Sequence, residues 1–172
     1  MKIRNYHDFA AKVDLGRSLV AKNHNAAYAE DYPAILSWFA DQKIWTADTA
    51  RIGSLMVYGW MPTILRSAKS DFNKLADLLN AEGVSEIGQP LLNSSWVGTS
   101  KFLHFWKPSQ FAIWDSKVCK ILGWGVLCND PRKFSDYQAF CRRYSSENDS
   151  IGLREIEQSL FLQGGVDRDG QT

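Results

Sequence analysis

Apolar residues along this chain return at spacings of three and four, and capping residues punctuate the returns. Only a helix brings positions i, i+3, i+4 and i+7 onto one face, so the pattern commits most of the chain to helices. Phe9, Val13 and Val20 mark a first helix over roughly residues 5–22. Asp31 and Pro33 open a second, with Ile35, Leu36 and Phe39 inward. Thr46 and Asp48 begin a third, whose apolar side reads as Ile52, Leu55, Met56 and Gly59 and which must stop or kink before Pro62. Ser70 and Asp71 begin a fourth, with Phe72, Leu75, Leu78 and Leu79 inward and Gly83 as its stop. A fifth starts at Thr99 or Ser100, carries Phe102, Leu103 and Trp106, and ends at Lys107-Pro108. Asp115 caps a sixth that holds Val118, Ile121 and Leu122 before Gly123. Phe134, Tyr137, Phe140, Cys141 and Tyr144 stripe a seventh, and Leu153, Ile156, Leu160 and Phe161 an eighth. The run Phe111-Ala112-Ile113-Trp114 reads equally as a short strand or an extended loop. The expected fold is all-α, one compact helical domain over residues 1–163 with a polar, glycine-bearing tail over 164–172.

Composition narrows the class. At 172 residues and 45% hydrophobic, the chain is long and apolar enough for one packed core and unlike a disordered sequence. It has no apolar run of membrane-spanning length. The charged start, Met1 to Asp8, lacks the apolar segment of a secretory signal, so a cytoplasmic protein is expected, without membrane association and as a monomer. The three cysteines, Cys119, Cys128 and Cys141, show no CxxC spacing. Buried free thiols are expected rather than a disulfide framework, with no metal site and no cofactor.

Net charge is +1, yet the charges are not evenly spread. Residues 101–143 hold eight basic residues (Lys101, Lys107, Lys117, Lys120, Arg132, Lys133, Arg142 and Arg143) against three acids (Asp115, Asp130 and Asp136), whereas residues 144–172 are net −4. A basic stretch of that kind can meet phosphates, or its charges can point apart on a solvated surface. Seven tryptophans are many for this length. They read as core or as a stacking surface.

The segment with chemical content runs from Ser95-Trp96-Val97-Gly98-Thr99-Ser100-Lys101 to Ile113-Trp114-Asp115-Ser116-Lys117-Val118. A tight turn at Val97-Gly98 leading into a helix start offers backbone N–H groups to an anion. A short apolar run then delivers Asp115 to the next helix start. Here the sequence resembles the helix-hairpin-helix DNA glycosylase superfamily, in which a glycine-bearing hairpin holds DNA phosphates and a following turn presents an essential aspartate. Val97 and Gly98 match the hairpin; Asp115 and Val118 match the aspartate turn. The stretch Leu55 to Pro62 sits where the family places a helix and a loop that wedges into the duplex. Trp96 stands where the family's first hairpin glycine belongs. Ser100 stands where members that also cut the strand carry lysine, and Lys101 follows one residue later.

The resemblance implies a DNA partner and a glycosylase that removes a damaged or modified base and leaves an abasic site. Its catalytic residue would be Asp115, with Lys101 the nucleophile if the local register slips by one. It further implies DNA contacts from Val97, Gly98, Thr99, Ser100, Lys117 and Lys120, and a base pocket drawn from Tyr58, Trp60, Trp106 and Trp114. Small members of this kind act in antiviral defence on modified cytosine in phage DNA. A noncatalytic helix-hairpin-helix DNA-binding module and a helical protein-interaction protein are the alternatives. His104, mid-helix among apolar neighbours, reads as a structural histidine.

Overall fold

A computed structural model describes residues 3–20, 30–61, 63–81, 87–125 and 127–166. Among these residues the chain is all-helical, with eight α-helices and no strand. They are α1 (Tyr6–Val20), α2 (Tyr32–Asp41), α3 (Ala47–Trp60), α4 (Phe72–Asn80), α5 (Trp96–Trp106), α6 (Ser116–Ile121), α7 (Pro131–Glu147) and α8 (Leu153–Val166). The Phe111–Trp114 run is an extended loop. Gly83 and residues 167–172 of the expected tail lie outside the described residues; α8 itself runs through Val166.

The chain divides into two units, one formed by Met1–His24 with Lys107–Thr172 and the other by Asn25–Trp106. In the first, α1 packs along α8, and α8 also receives α6 and α7. The α1–α8 approach is close: a Cβ on Gly16 would lie 2.1 Å from the Ser159 carbonyl oxygen, so no larger residue fits there. Phe9, Val13, Trp114, Tyr137, Ile156 and Leu160 are buried in this unit. In the second, α3 packs on α4 and α5, and α2 on α5. Its core is aromatic, with Phe39 4.9 Å from Phe102 and 5.5 Å from Trp45, ring centre to ring centre.

Local chemistry sets the helix ends. Thr46 and Thr49 form a reciprocal capping box at the start of α3. Asp71 caps α4 through Lys74 N–H, and Asp130 caps α7 through the N–H groups of Arg132 and Lys133.

Two expectations about elements are corrected. The buried side of α3 is Ala50, Gly53, Ser54, Val57 and Tyr58, whereas Ile52 and Leu55 are 48% and 55% exposed. At Gly53 the rings of Phe39, Trp38 and Phe102 come so close that no Ile or Leu would fit there. The other correction is the start of α5. The helix begins at Trp96, not at Thr99 or Ser100, and the tight turn falls at Asn93 and Ser94, both at φ 52°. Burying the Trp96 indole draws the helix back by a turn.

Candidate active site

The residues proposed from sequence divide between the two units. Val97, Gly98, Thr99, Ser100, Lys101, Tyr58, Trp60 and Trp106 belong to the Asn25–Trp106 unit; Trp114, Asp115, Lys117 and Lys120 belong to the other.

In the Asn25–Trp106 unit, the first turns of α5 are fixed from beneath. Thr99 is fully buried, and its Oγ1 accepts the N–H groups of Leu91 and Leu92 at 3.0 and 3.1 Å. Ser100 is also buried and donates to the Val97 carbonyl at 3.0 Å. A Cβ on Gly98 would lie 1.9 Å from the Tyr58 Oη, so the glycine is the condition for Tyr58 to lie against α5. Gly98, by lacking a side chain, and the hydroxyls of Thr99 and Ser100 therefore build the helix start from inside, and any phosphate contact there falls to backbone N–H groups. Tyr58 is 2% exposed, and burial pushes its phenol up to about 12. That places it in the core rather than in an open pocket. Trp60 and Trp106 are half-buried, as is Lys101.

His104, fully buried, faces Tyr32, whose Oη lies 2.6 Å from its Nε2. The histidine is thus a satisfied structural one. Tyr32 was not legible in the sequence as a partner, since 72 residues separate the pair and no motif joins them. Its ring also lies 6.2 Å from Trp60 and 5.2 Å from Phe105.

In the other unit, Asp115 is 8% exposed and caps α6, its Oδ1 accepting the Lys117 N–H at 2.9 Å. Ala112 and Ile113 hold the approach to it: Gln138 donates to the Ala112 carbonyl and accepts its N–H, and Tyr137 donates to the Ile113 carbonyl. Asp115 is thereby a buried acid on a fixed, extended segment. Glu157 of α8, 3% exposed and paired with Arg154, is a second buried acid of this unit that no motif signalled.

Trp114 is corrected as a base-pocket residue. It is 0% exposed, gives its indole N–H to the Cys128 carbonyl at 2.7 Å, and packs 4.9 Å from Tyr137 and 5.7 Å from Trp124. These three neighbours, with Phe134 6.4 Å away, occupy the surroundings that a base would need.

The basic stretch is partly spent on internal partners. The Lys117 ammonium lies 4.1 Å from the centre of the Phe161 ring. Lys133 pairs with Asp136 and covers Trp124, and Arg143 pairs with Glu147 and covers Tyr6. Lys120, Arg132 and Arg142 are exposed.

The expectation of three free thiols is corrected as well. Cys119 and Cys128 form a disulfide; Cys141 is free and buried. Gly123 and Gly125, at φ 69° and 53°, turn the chain back after α6 and bring the two together. A nine-residue separation carries no motif that sequence reasoning could use. Burial pushes the Cys141 thiol up, which leaves it inert at neutral pH. Among the described residues no His, Cys, Asp and Glu cluster suits a metal ion, and no helix is long and apolar enough to cross a membrane.

Comparison with known proteins finds no matching family model, no matching curated protein and no matching solved structure.

Proposed function

We propose that the chain is a DNA glycosylase that hydrolyses the N-glycosidic bond of a damaged or modified base, with Asp115 as its catalytic carboxylate. One observation carries the reading: Asp115 is a nearly buried acid fixed at a helix start, on an extended segment that Gln138 and Tyr137 hold by its backbone. Removing a base from deoxyribose builds positive charge on the sugar, and a preorganised carboxylate stabilises that charge or activates water against it. The α5 start, with its buried Thr99 and Ser100, supports the helix-hairpin-helix part of the reading as a rigid set of backbone donors for phosphate. Lys120 adds an exposed cation at α6. Trp60 and Trp106, half-buried, are the aromatic residues that support a base-stacking role. The protein is proposed to act as a monomer in the cytoplasm, without cofactor, and the modified cytosines of phage DNA are among its candidate substrates.

The test is base release. Oligonucleotides carrying oxidised, alkylated or phage-type modified bases are incubated with the protein, then treated with alkali to cut at abasic sites. Asp115→Asn keeps a capping side chain, so it is expected to fold and to lose about 100-fold or more in rate. A folded, fully active Asp115→Asn protein removes the assignment. Borohydride is expected to trap no covalent DNA adduct; an adduct lost in Lys101→Gln gives Lys101 the nucleophile's role instead.

The exposed Ile52 and Leu55 on α3 favour a second reading, a helical protein that binds another protein through that face. It predicts no DNA binding even at low salt.

A further inference from the structure

The cysteines of the Met1–His24 and Lys107–Thr172 unit are unequal. Cys119 is fully buried in α6, whereas Cys128 is half-buried in the short 3-10 turn Leu127–Asn129. The bond between them joins two elements whose backbones both hold the Trp114-Asp115 pair. The Cys119 N–H donates to the Asp115 carbonyl at 2.9 Å, and the Cys128 carbonyl accepts the Trp114 indole N–H at 2.7 Å. The loop they close also carries Trp124, 3% exposed and packed at a tilt against Trp114. Thus Cys128 is the more exposed half of the pair and Cys119 the buried half, and the bond between them ties together two supports of a buried aspartate.

We propose that Cys128–Cys119 is a thiol–disulfide exchange site for low-molecular-weight thiols, and that opening it loosens the Asp115 turn. The exchange site stands by itself; the control of Asp115 rests on the glycosylase reading. A disulfide with a partly exposed half-cystine is of the labile, exchangeable kind. The attacking thiolate takes the Cys128 Sγ, the sulfur of the more exposed residue. A new bond forms there as a mixed disulfide, the Sγ–Sγ bond breaks, and its electron pair leaves on the Cys119 sulfur, which takes up a proton. A second thiolate attacks the small-molecule sulfur and frees the Cys128 thiolate, which is protonated in turn. The protein disulfide is reduced to two thiols while two small thiols become one small disulfide. Reoxidation by that small disulfide runs the same steps backwards. Reduction removes the covalent cross-link between the 3-10 turn and α6, so the acceptor of the Trp114 indole is freer to move and the Asp115 turn with it.

The test uses the full chain and glutathione as the probe. After equilibration with glutathione disulfide, denaturation and maleimide labelling, intact mass shows one label, on Cys141; after dithiothreitol it shows three. Three labels in the oxidised sample overturn the proposal. In Cys119→Ser, glutathione disulfide adds one glutathionyl group at Cys128, whereas in Cys128→Ser the buried Cys119 takes up none. Equal uptake by both variants overturns the assignment of the attacked sulfur. Reduction lowers the thermal midpoint of the wild-type chain by roughly 5–10 °C, and Cys128→Ser shows the low midpoint with or without dithiothreitol. Base release is then measured on oxidised and reduced wild-type chains, with a several-fold loss expected on reduction. Equal rates overturn the control of Asp115. One label becoming three and a falling midpoint, with no base released in either state, keep the exchange site and remove the glycosylase reading.

Discussion

Gly98 is the residue at which the α5 start is most sharply constrained. Any side chain there drives into the Tyr58 hydroxyl. Gly98→Ala is expected to destabilise the chain by about 1–3 kcal/mol, the usual cost of overpacking, and Tyr58→Phe in the same chain to recover part of that loss; denaturant melts of the three variants check both. The tyrosines make a second residue-scale prediction. Burial raises Tyr58 to about 12, and burial together with hydrogen bonds to Glu147 and Asp14 raises Tyr6 and Tyr144 to about 12. Protonated tyrosine is therefore favoured in the folded state. Its stabilisation is fully present below the ordinary value of 10 and is lost as pH climbs from 10 towards 12. Stability against urea should hold to about pH 10 and then fall, in step with delayed phenolate absorbance. The capping role of Asp115 was legible in the sequence because an aspartate just ahead of an apolar periodic run is a local signal. The pairing of Trp114 with the Cys128 carbonyl and of Tyr32 with His104 was not, because both depend on chain reversals that leave no local pattern.

At the scale of elements, periodicity located the eight helices of the described residues, since each carries its own apolar stripe and several carry their own cap. It misjudged α3 because counting apolar residues rewards size. The face that packs there carries Gly53, where the rings of Phe39 and Phe102 approach closely, and an apolar count gives a glycine no weight. The difference is measurable. Leu55→Gln, at a 55% exposed position, should shift stability by no more than about 0.5 kcal/mol. Val57→Ala, at a 0% exposed position, should cost about 2 kcal/mol. If the two effects were reversed, α3 would present the face that sequence periodicity predicted. The α5 start was misplaced for a related reason. Thr99 and Ser100 look like caps, but their hydroxyls serve the preceding loop and the helix's own first turn from inside.

At the scale of the whole molecule, the chain leaves one unit and returns to it. Residues near the N-terminus supply Phe9 and Val13 to a core otherwise built after Lys107. Ile3 closes that arrangement: its N–H donates to the Leu122 carbonyl just past α6, and its own carbonyl accepts the Trp124 indole. Nothing in the local pattern announces this, because a contact across 121 residues has no period. It follows that α1 is the partner without which α8 exposes its inward face. Deleting residues 1–20 removes the buried side chains of Ile3, Tyr6, Phe9 and Val13 together. Each buried side chain of this size is worth roughly 1.5–3 kcal/mol, so the sum rivals the stability of an ordinary domain. Hydrogen exchange read by mass spectrometry should then show protection lost throughout α6, α7 and α8, while α3, α4 and α5, which belong to the other unit, keep theirs. Loss of protection in α3 to α5 to the same extent would show that the two units unfold as one, and that the division seen in the fold is not a division in stability.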